Sequence, residues 1–418
     1  MQTFINLNFL STINMIPKEE LRKIVRMQRE GVLTFEEGIE RESRIKPNVA
    51  FALIISGVRR CGKSTLLRRF IKKIKGFYYF NFEDPKASGF ELVDFERLDE
   101  IFTEEYGTQN YYLFDEIQNV EKWEIFIRNL LDRKKYVLIT GSNASLLSRE
   151  LGTKLTGRHL TNELFPFSFK EFLKLAGRNP DIKSFQEYLL KGGFPEYLKS
   201  SKSEVLEELL RDILIRDIAV RHGIRSLKTL KQMAIYLLTN VGKKFSYNSL
   251  KETFTLGSIN SVISFISYFE DSYLLFTVPK FDFSFKKQIV NPKKVYSIDN
   301  GISNINSASF SEDKGRTLEN LVFIALRRKH KEIFYFQENS ECDFLIRKGI
   351  KIVDAIQVCY EINKENQDRE INGLVEAMNT FKLKECFILT YNQEDKFVIG
   401  DKIIKAIPVW KWLLKENT

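Results

Sequence analysis

Four short apolar runs punctuate the first third of the chain: Ala52-Leu53-Ile54-Ile55, Phe77-Tyr78-Tyr79-Phe80, Tyr111-Tyr112-Leu113-Phe114 and Tyr136-Val137-Leu138-Ile139. None alternates with polar residues, so each predicts a strand covered on both faces. The stretches between them are helix-prone, and such alternation predicts a parallel sheet with βαβ crossovers. The first strand is expected to begin near Val49, and a helix to run from Lys63 to Ile74. Ahead of them, Ile16 to Lys46 is charged and helix-prone, with Leu21, Ile24, Val25, Val32 and Leu33 as its apolar positions. Pro47 ends it.

The rhythm changes beyond Phe165. Pro166 to Arg225 reads as helical with a break at Gly192-Gly193-Phe194-Pro195. Leu227 to Leu238 has helical periodicity, Ser246 to Glu252 is a short second helix with Ser246 as its cap, and Ser258 to Asp271 is a third. Strand-prone Tyr273 to Val278 follows, and three helices before a β-ribbon form a winged-helix pattern. From Gly315 onward a helix around Leu318 to Phe323 precedes strands at Phe334-Tyr335-Phe336, Glu341 to Ile346 and Ala355 to Cys359.

The chemistry begins where the first strand stops. Gly57-Val58-Arg59-Arg60-Cys61-Gly62-Lys63-Ser64, followed by Thr65, matches G-x-x-x-x-G-K-[ST] with a strand before it and a helix after it. Glycines let the backbone curl so that successive N–H groups face phosphate oxygens, and the helix N-terminus adds partial positive charge. Lys63 is expected to reach the β- and γ-phosphates of ATP, and the Ser64 hydroxyl to hold Mg²⁺. About fifty residues later the third strand ends in Asp115-Glu116. Asp115 is expected to hold Mg²⁺ through water, and Glu116 to polarise the attacking water.

The fourth strand closes on Ser142-Asn143, where either side chain would sense the γ-phosphate or simply cap the next helix. Arg158, after that helix, is a candidate arginine finger, a role that needs a neighbouring subunit or a domain closure. A surface salt bridge is the competing reading.

Composition narrows the partners. At 418 residues the chain is expected to hold about two to four domains. Its net charge of +10 favours an anionic partner beyond ATP, with double-stranded DNA the obvious candidate. Between Ser226 and Asn300 stand ten Lys, no Arg and five acids, yet the third helix there carries no Lys or Arg with which to read bases. That leaves a protein-interaction role for this part equally open. Cys61, Cys342, Cys359 and Cys386 form no C-x-x-C pair, and His159, His222 and His330 are far apart in sequence, which argues against zinc or a disulfide framework. No apolar run approaches the roughly 18 residues of a membrane helix. Met1 to Met15 lacks the marks of a signal peptide, and Met15 is a second candidate start, so the chain is expected to be cytoplasmic.

Taken together, the chain resembles the archaeal and bacterial AAA-type P-loop ATPases with a nuclease-like C-terminal region. The resemblance rests on the motifs above together with Asn81-Phe82-Glu83-Asp84-Pro85, Leu113 to Gln118, Thr140 to Asn143, Leu155-Thr156-Gly157-Arg158, Glu163 to Phe172, Gly192 to Glu196 and Arg216-Asp217-Ile218. It implies an α/β architecture of four parts. They are an ATPase core over residues 16–165, a helical lid over 166–225, a winged helix over 226–300 and a restriction-endonuclease-like α/β domain over 301–418.

That last fold carries an acid on one strand and acid-x-Lys on its neighbour, whose carboxylates hold Mg²⁺ while the lysine helps position the nucleophile. In this chain Asp343 is kept and Glu319 is a candidate helical acid. Gln357 takes the place of the second strand acid, and Cys359 that of the lysine. Loss of metal charge and lysine together favours a degenerate, non-cleaving module, with Lys348 or Lys364 as candidate spatial replacements for the amine. Three functions follow: an Mg²⁺-dependent ATPase driving a C-terminal DNA-binding region, an ATP-regulated endonuclease, or an ATP-driven switch acting on a protein partner, as a monomer or a homo-oligomer.

Overall fold

The computed structural model describes residues 16–35, 38–142, 157–308 and 313–415. Five strands, β1 (Ala52–Ser56), β2 (Tyr78–Asn81), β3 (Tyr111–Asp115), β4 (Tyr136–Gly141) and β5 (His159–Glu163), form an all-parallel sheet in the order β2-β3-β4-β1-β5. The four uninterrupted apolar runs are the four strands β1 to β4. On one face Ile54, Phe80, Phe114 and Ile139 meet the helices Lys18–Leu33, Asp94–Tyr106 and Trp123–Asp132. On the other, Leu53, Ile55, Leu113 and Leu138 meet Leu66, Leu67 and Ile71 of the helix Lys63–Ile71. Each strand therefore needs apolar residues at consecutive positions.

Two boundaries differ from expectation. The chain turns at Asn48, whose side-chain oxygen accepts from the Ala50 N–H at 2.8 Å, so β1 starts at Ala52 rather than near Val49. The helix after the P-loop ends at Ile71 rather than Ile74. There the N–H groups of Lys73 and Ile74 bond three residues back, to Phe70 and Ile71, tightening the last turn.

Residues 169–220 are helical throughout their four short helices and end in a π-helical segment, Ile213–Val220. Next come the helices Leu227–Thr239, Tyr247–Thr253 and Ile259–Asp271, with strands β6 (Lys244–Phe245), β7 (Leu275–Pro279) and β8 (Lys293–Ser297) in an antiparallel sheet ordered β6-β8-β7. The ribbon starts at Leu275 because Tyr273 turns the chain with a left-handed φ of 59°.

The last part is a six-stranded mixed sheet of β9 (Ile333–Gln337), β10 (Glu341–Lys348), β11 (Lys351–Cys359), β12 (Glu385–Thr390), β13 (Asp395–Ile399) and β14 (Lys402–Pro408), ordered β13-β14-β12-β11-β10-β9. The helix Lys314–Arg327 packs on one face, through Leu318 and Val322. The helix Gln367–Phe381 packs on the other, through Leu374 and Met378. One apolar core runs from beneath the P-loop through the 169–220 helices and the β6-β8-β7 unit to the face of the final sheet under Leu318. Among the described residues no helix is long and apolar enough to cross a membrane.

Candidate functional site

The P-loop links β1 to the helix Lys63–Ile71, at the carboxyl end of the parallel sheet. Gly57 lies at φ 155°, where a Cβ would come within 2.1 Å of the Leu164 carbonyl oxygen, and Gly62 lies at φ 101°. Both positions therefore require glycine, one for close approach and one for backbone conformation. The Lys63 ammonium is buried and donates to the Gly57 and Val58 carbonyls at 3.1 and 3.2 Å. It stands 3.6 Å from Glu116.

Because β4 inserts between β1 and β3, its end lies beside both motifs. Ser64 donates to Asp115 at 3.0 Å, Tyr79 donates to the other Asp115 oxygen at 3.3 Å, and Thr140 closes on the first. The Thr140 hydroxyl also accepts from the Glu116 N–H at 3.0 Å. Glu116 is turned toward Lys63 by a left-handed backbone (φ 52°), and Gln118 donates to its carboxylate. Burial works against ionisation of Glu116, but Lys63, Gln118 and Arg59 outweigh it and hold the carboxyl below its usual range. Asp115 moves the other way: burial first, then the Glu116 charge, raises it. A buried carboxylate raised by desolvation, with a serine hydroxyl at 3.0 Å, is an all-oxygen donor set of the kind Mg²⁺ takes.

The variable positions of the loop reach away from it. Arg59 grips both oxygens of Asp217 in the π-helical segment at 3.1 Å and donates to Glu83 at 2.9 Å. Arg60 reaches Asp212 at 3.0 Å. The Cys61 thiol is buried against the Leu164 carbonyl. Arg41, from the segment before β1, donates to the Cys61 carbonyl, the Phe165 carbonyl and the buried Glu171 at 2.7–2.9 Å, tying loop, β5 exit and next helix together. Arg158 immediately precedes β5, its carbonyl accepting from the Ala52 N–H at 3.1 Å, whereas the P-loop follows Ser56 at the far end of β1. It pairs with Asp132 at 2.6 Å, so in this arrangement it is remote from its own P-loop. Asn143 lies outside the described residues.

A chain of polar contacts leads from the P-loop to the last domain. Ser56, the residue before Gly57, shares a 2.8 Å hydrogen bond with the Tyr273 hydroxyl, which lies 3.3 Å from Glu163. Glu163 takes both guanidinium nitrogens of Arg327 at 2.9 and 3.0 Å.

The C-terminal carboxylates also converge. Glu319 comes from the helix Lys314–Arg327, Asp343 from β10 and Gln357 from β11, and the Gln357 side-chain oxygen accepts from the Asp343 N–H at 3.1 Å. The residue sequence reasoning missed is Lys294 of β8. Its ammonium, 3% exposed, lies 2.7 Å from Glu341, 2.8 Å from Asp343 and 3.0 Å from Glu319. Three carboxylates outweigh the desolvation that would lower Lys294, and its pKa rises well above the ordinary value. Burial and the nearby Asp343 push Glu319 up to about 7, against the pull of Lys294. Tyr296 donates to Glu319 at 2.6 Å, and Gln357 donates to Glu370 at 2.7 Å, which completes the cluster. Among the described residues the ammonium paired with these acids is that of Lys294, from another sheet, and not that of Lys348 or Lys364. The one available signal was a lysine next to Val295 and Tyr296 in a strand-prone run.

Comparison with known proteins places these features. An AAA domain matches residues 50–173, and a domain of unknown function, DUF8612, matches residues 182–312. The uncharacterized protein MJ1544 of Methanocaldococcus jannaschii is 36% identical over 99% of this chain and 100% of its own length. An uncharacterized protein of Haemophilus influenzae is 29% identical over 87% of this chain and 94% of its own. Among solved structures, AMPPCP-bound DnaA from Aquifex aeolicus aligns over 64% of this chain and 93% of its own, at 17% identity and a TM-score of 0.26.

Proposed function

This chain belongs to the same family as the Methanocaldococcus jannaschii protein MJ1544, and we propose that it is an Mg²⁺-dependent ATPase whose turnover drives a C-terminal region that binds double-stranded DNA. The observation that carries the first half is the joining of Ser64 and Asp115 at 3.0 Å beside a glycine-built phosphate loop. Lys63 exchanges its loop carbonyls for the β- and γ-phosphate oxygens. Its hydrogen-bond partners are neutral backbone acceptors, which a phosphate outcompetes, and the Glu116 carboxylate stands farther off at 3.6 Å. Ser64 and Asp115 would hold Mg²⁺, which would neutralise charge developing on the phosphates. Glu116, ionised and oriented by Gln118 and Thr140, accepts a hydrogen bond from the attacking water. Arg158, distant from its own loop, acts on the nucleotide of a neighbouring subunit.

The three helices and the β6-β8-β7 sheet support a winged-helix reading of residues 226–300, and the carboxylate cluster a restriction-endonuclease-like reading of residues 301–418. Lys294 favours the non-cleaving form of that domain, because an ammonium already neutralises the oxygens a metal would need. The Ser56–Tyr273–Glu163–Arg327 chain supports coupling, since it begins at the residue that launches the P-loop.

The test is steady-state ATP hydrolysis with and without double-stranded DNA at physiological salt. Stimulation that fades steeply as salt rises is the expected result. Hydrolysis indifferent to DNA would shift the reading to a switch acting on a protein partner.

A further inference from the structure

Apart from the P-loop and the carboxylate cluster, converging chemistry is found among the described residues in a cleft of about 620 Å³ where several parts of the chain meet. Its walls come from the helix Ile182–Lys191, from the end of the helix Leu227–Thr239 with the turn before β6, from the helix Asn300–Asn306, and from the start of the helix Lys314–Arg327. Tyr360 and Tyr391 close it from the last sheet. That volume is in the range of small-molecule sites, enough for one or two nucleotide units.

The lining combines two kinds of group. Lys191, Lys243, Lys314 and Arg316 face it with one acid, Asp313; Arg316 meets Asp313 at 3.3 Å and Lys191 is paired with Glu187 at 3.0 Å, so the excess charge rests on Lys243 and Lys314. Tyr360 and Tyr391 lie stacked, with ring centroids 4.7 Å apart and planes 14° from parallel, and the Lys314 ammonium is 6.0 Å from the Tyr360 ring. Both rings are half-buried, and each keeps part of its surface toward the cleft. Aromatic faces beside flexible cations are what a base attached to a phosphate requires: stacking holds the base, and ammonium groups neutralise the phosphate. A purely structural cavity would need neither the two exposed lysines nor rings left partly uncovered. Lys243 and Lys314 are exposed, so their charge is not spent on holding the fold.

The cleft also borders the carboxylate cluster. Arg316 and Glu319 are one turn apart on the same helix, and Gly242 lies against both, where a Cβ would come within 3.4 Å of Arg316 and 3.2 Å of Glu319. A strand lying in the cleft would thus run past the place where Lys294 stands among the acids.

We propose that this cleft binds a nucleotide unit of a single-stranded nucleic acid, with a base stacked on the Tyr360–Tyr391 platform and phosphate held by Lys243, Lys314 and Arg316. This deepens, and rests on, the nucleic-acid-binding reading of the C-terminal half. It places the contact between domains instead of on the helix Ile259–Asp271, which carries no basic residue.

The probes are a fluorescein-labelled oligothymidylate and free AMP, titrated onto the full-length chain carrying Lys63→Ala so that the P-loop does not take them. The oligothymidylate is expected to bind with a salt-dependent affinity. Tyr360→Ala is expected to weaken it about tenfold, with recovery in Tyr360→Phe. Lys243→Glu and Lys314→Glu, both at exposed positions where folding is unaffected, are expected to weaken it by a similar factor. AMP that competes at equal affinity per site would support the cleft with a free nucleotide as its source. Oligothymidylate alone would support the strand. Absence of binding by either probe, or binding unchanged by all three charge and ring substitutions, overturns the proposal. Duplex DNA titrated in parallel separates the two ideas. Duplex binding that survives the cleft variants while neither probe binds leaves the broader reading standing and removes this one, whereas probe binding without duplex binding does the reverse.

Discussion

The chain contains two buried lysines set among carboxylates, and they are arranged for opposite purposes. Lys63 rests on two neutral carbonyls of its own loop, stands 3.6 Å from the Glu116 carboxylate, and has glycines on either side of its loop. Lys294 makes three ion pairs at 2.7–3.0 Å and fills the space among Glu319, Glu341 and Asp343. A lysine on neutral acceptors can change partners when an anion arrives. A lysine saturated by three carboxylates cannot leave without stranding buried charge. The first arrangement suits turnover. The second suits holding β8 against the last sheet.

The largest effects should fall at the exchangeable site. Lys63→Ala is expected to take nucleotide binding and hydrolysis together to background, measured by nucleotide titration and phosphate release. Glu116→Gln should keep ATP binding while slowing turnover by ~10²–10⁴-fold. Undiminished turnover in Glu116→Gln would remove the role given to that carboxylate and blur the contrast with Lys294.

Lys294→Met tests the saturated site. Removing one partner of a buried cluster costs on the order of 3–5 kcal/mol, seen as a lower thermal midpoint with ATP affinity retained. Adding Glu319→Gln and Asp343→Asn to Lys294→Met should recover much of that loss. If Lys294→Met instead unmasks Mg²⁺-dependent DNA cleavage, the cluster is a nuclease held shut, and the endonuclease reading returns.

The pH dependence sharpens this. Glu319 is raised in the folded chain to about 7, so the fold favours its protonated form. Stability from this group is therefore greatest below its unfolded value near 4.5 and falls as pH rises toward 7. Thermal midpoints across that window should fall in the natural chain and stay flatter in Glu319→Gln.

Smaller effects are expected around the P-loop. Arg59→Ala removes the paired contact with Asp217 and should loosen the Ile213–Val220 segment toward proteolysis, with turnover changed only several-fold. The smallest should be Arg158→Ala. Nucleotide affinity is expected to be unchanged, and any loss of turnover should depend on protein concentration, since the residue is remote from its own P-loop.

Much of this was legible along the chain because the responsible forces are local. The runs at Ala52, Tyr78, Tyr111 and Tyr136 read as strands buried on both faces, and the Gly57–Ser64 spacing matches the phosphate-loop pattern. Arg41, Thr140 and Tyr273 carry no motif. Each acts through a partner more than twenty residues away, such as Glu171, Asp115 or Ser56. Lys294 was visible only as a lysine beside Val295 and Tyr296 in a strand-prone run, and nothing near it in sequence announces three acids.

What the sequence determined by itself is the parallel sheet, the glycine loop and the acids at the end of β3, since burial on both faces and backbone conformation are written residue by residue. Which cation meets Glu319 and Asp343 was decided only by the tertiary structure, which brings β8 onto β10 and the helix Lys314–Arg327. So was the meeting of Lys243, Lys314 and Tyr360 in one cleft. Electrostatic and stacking partners are chosen by distance in space, and no pattern along the chain encodes that distance.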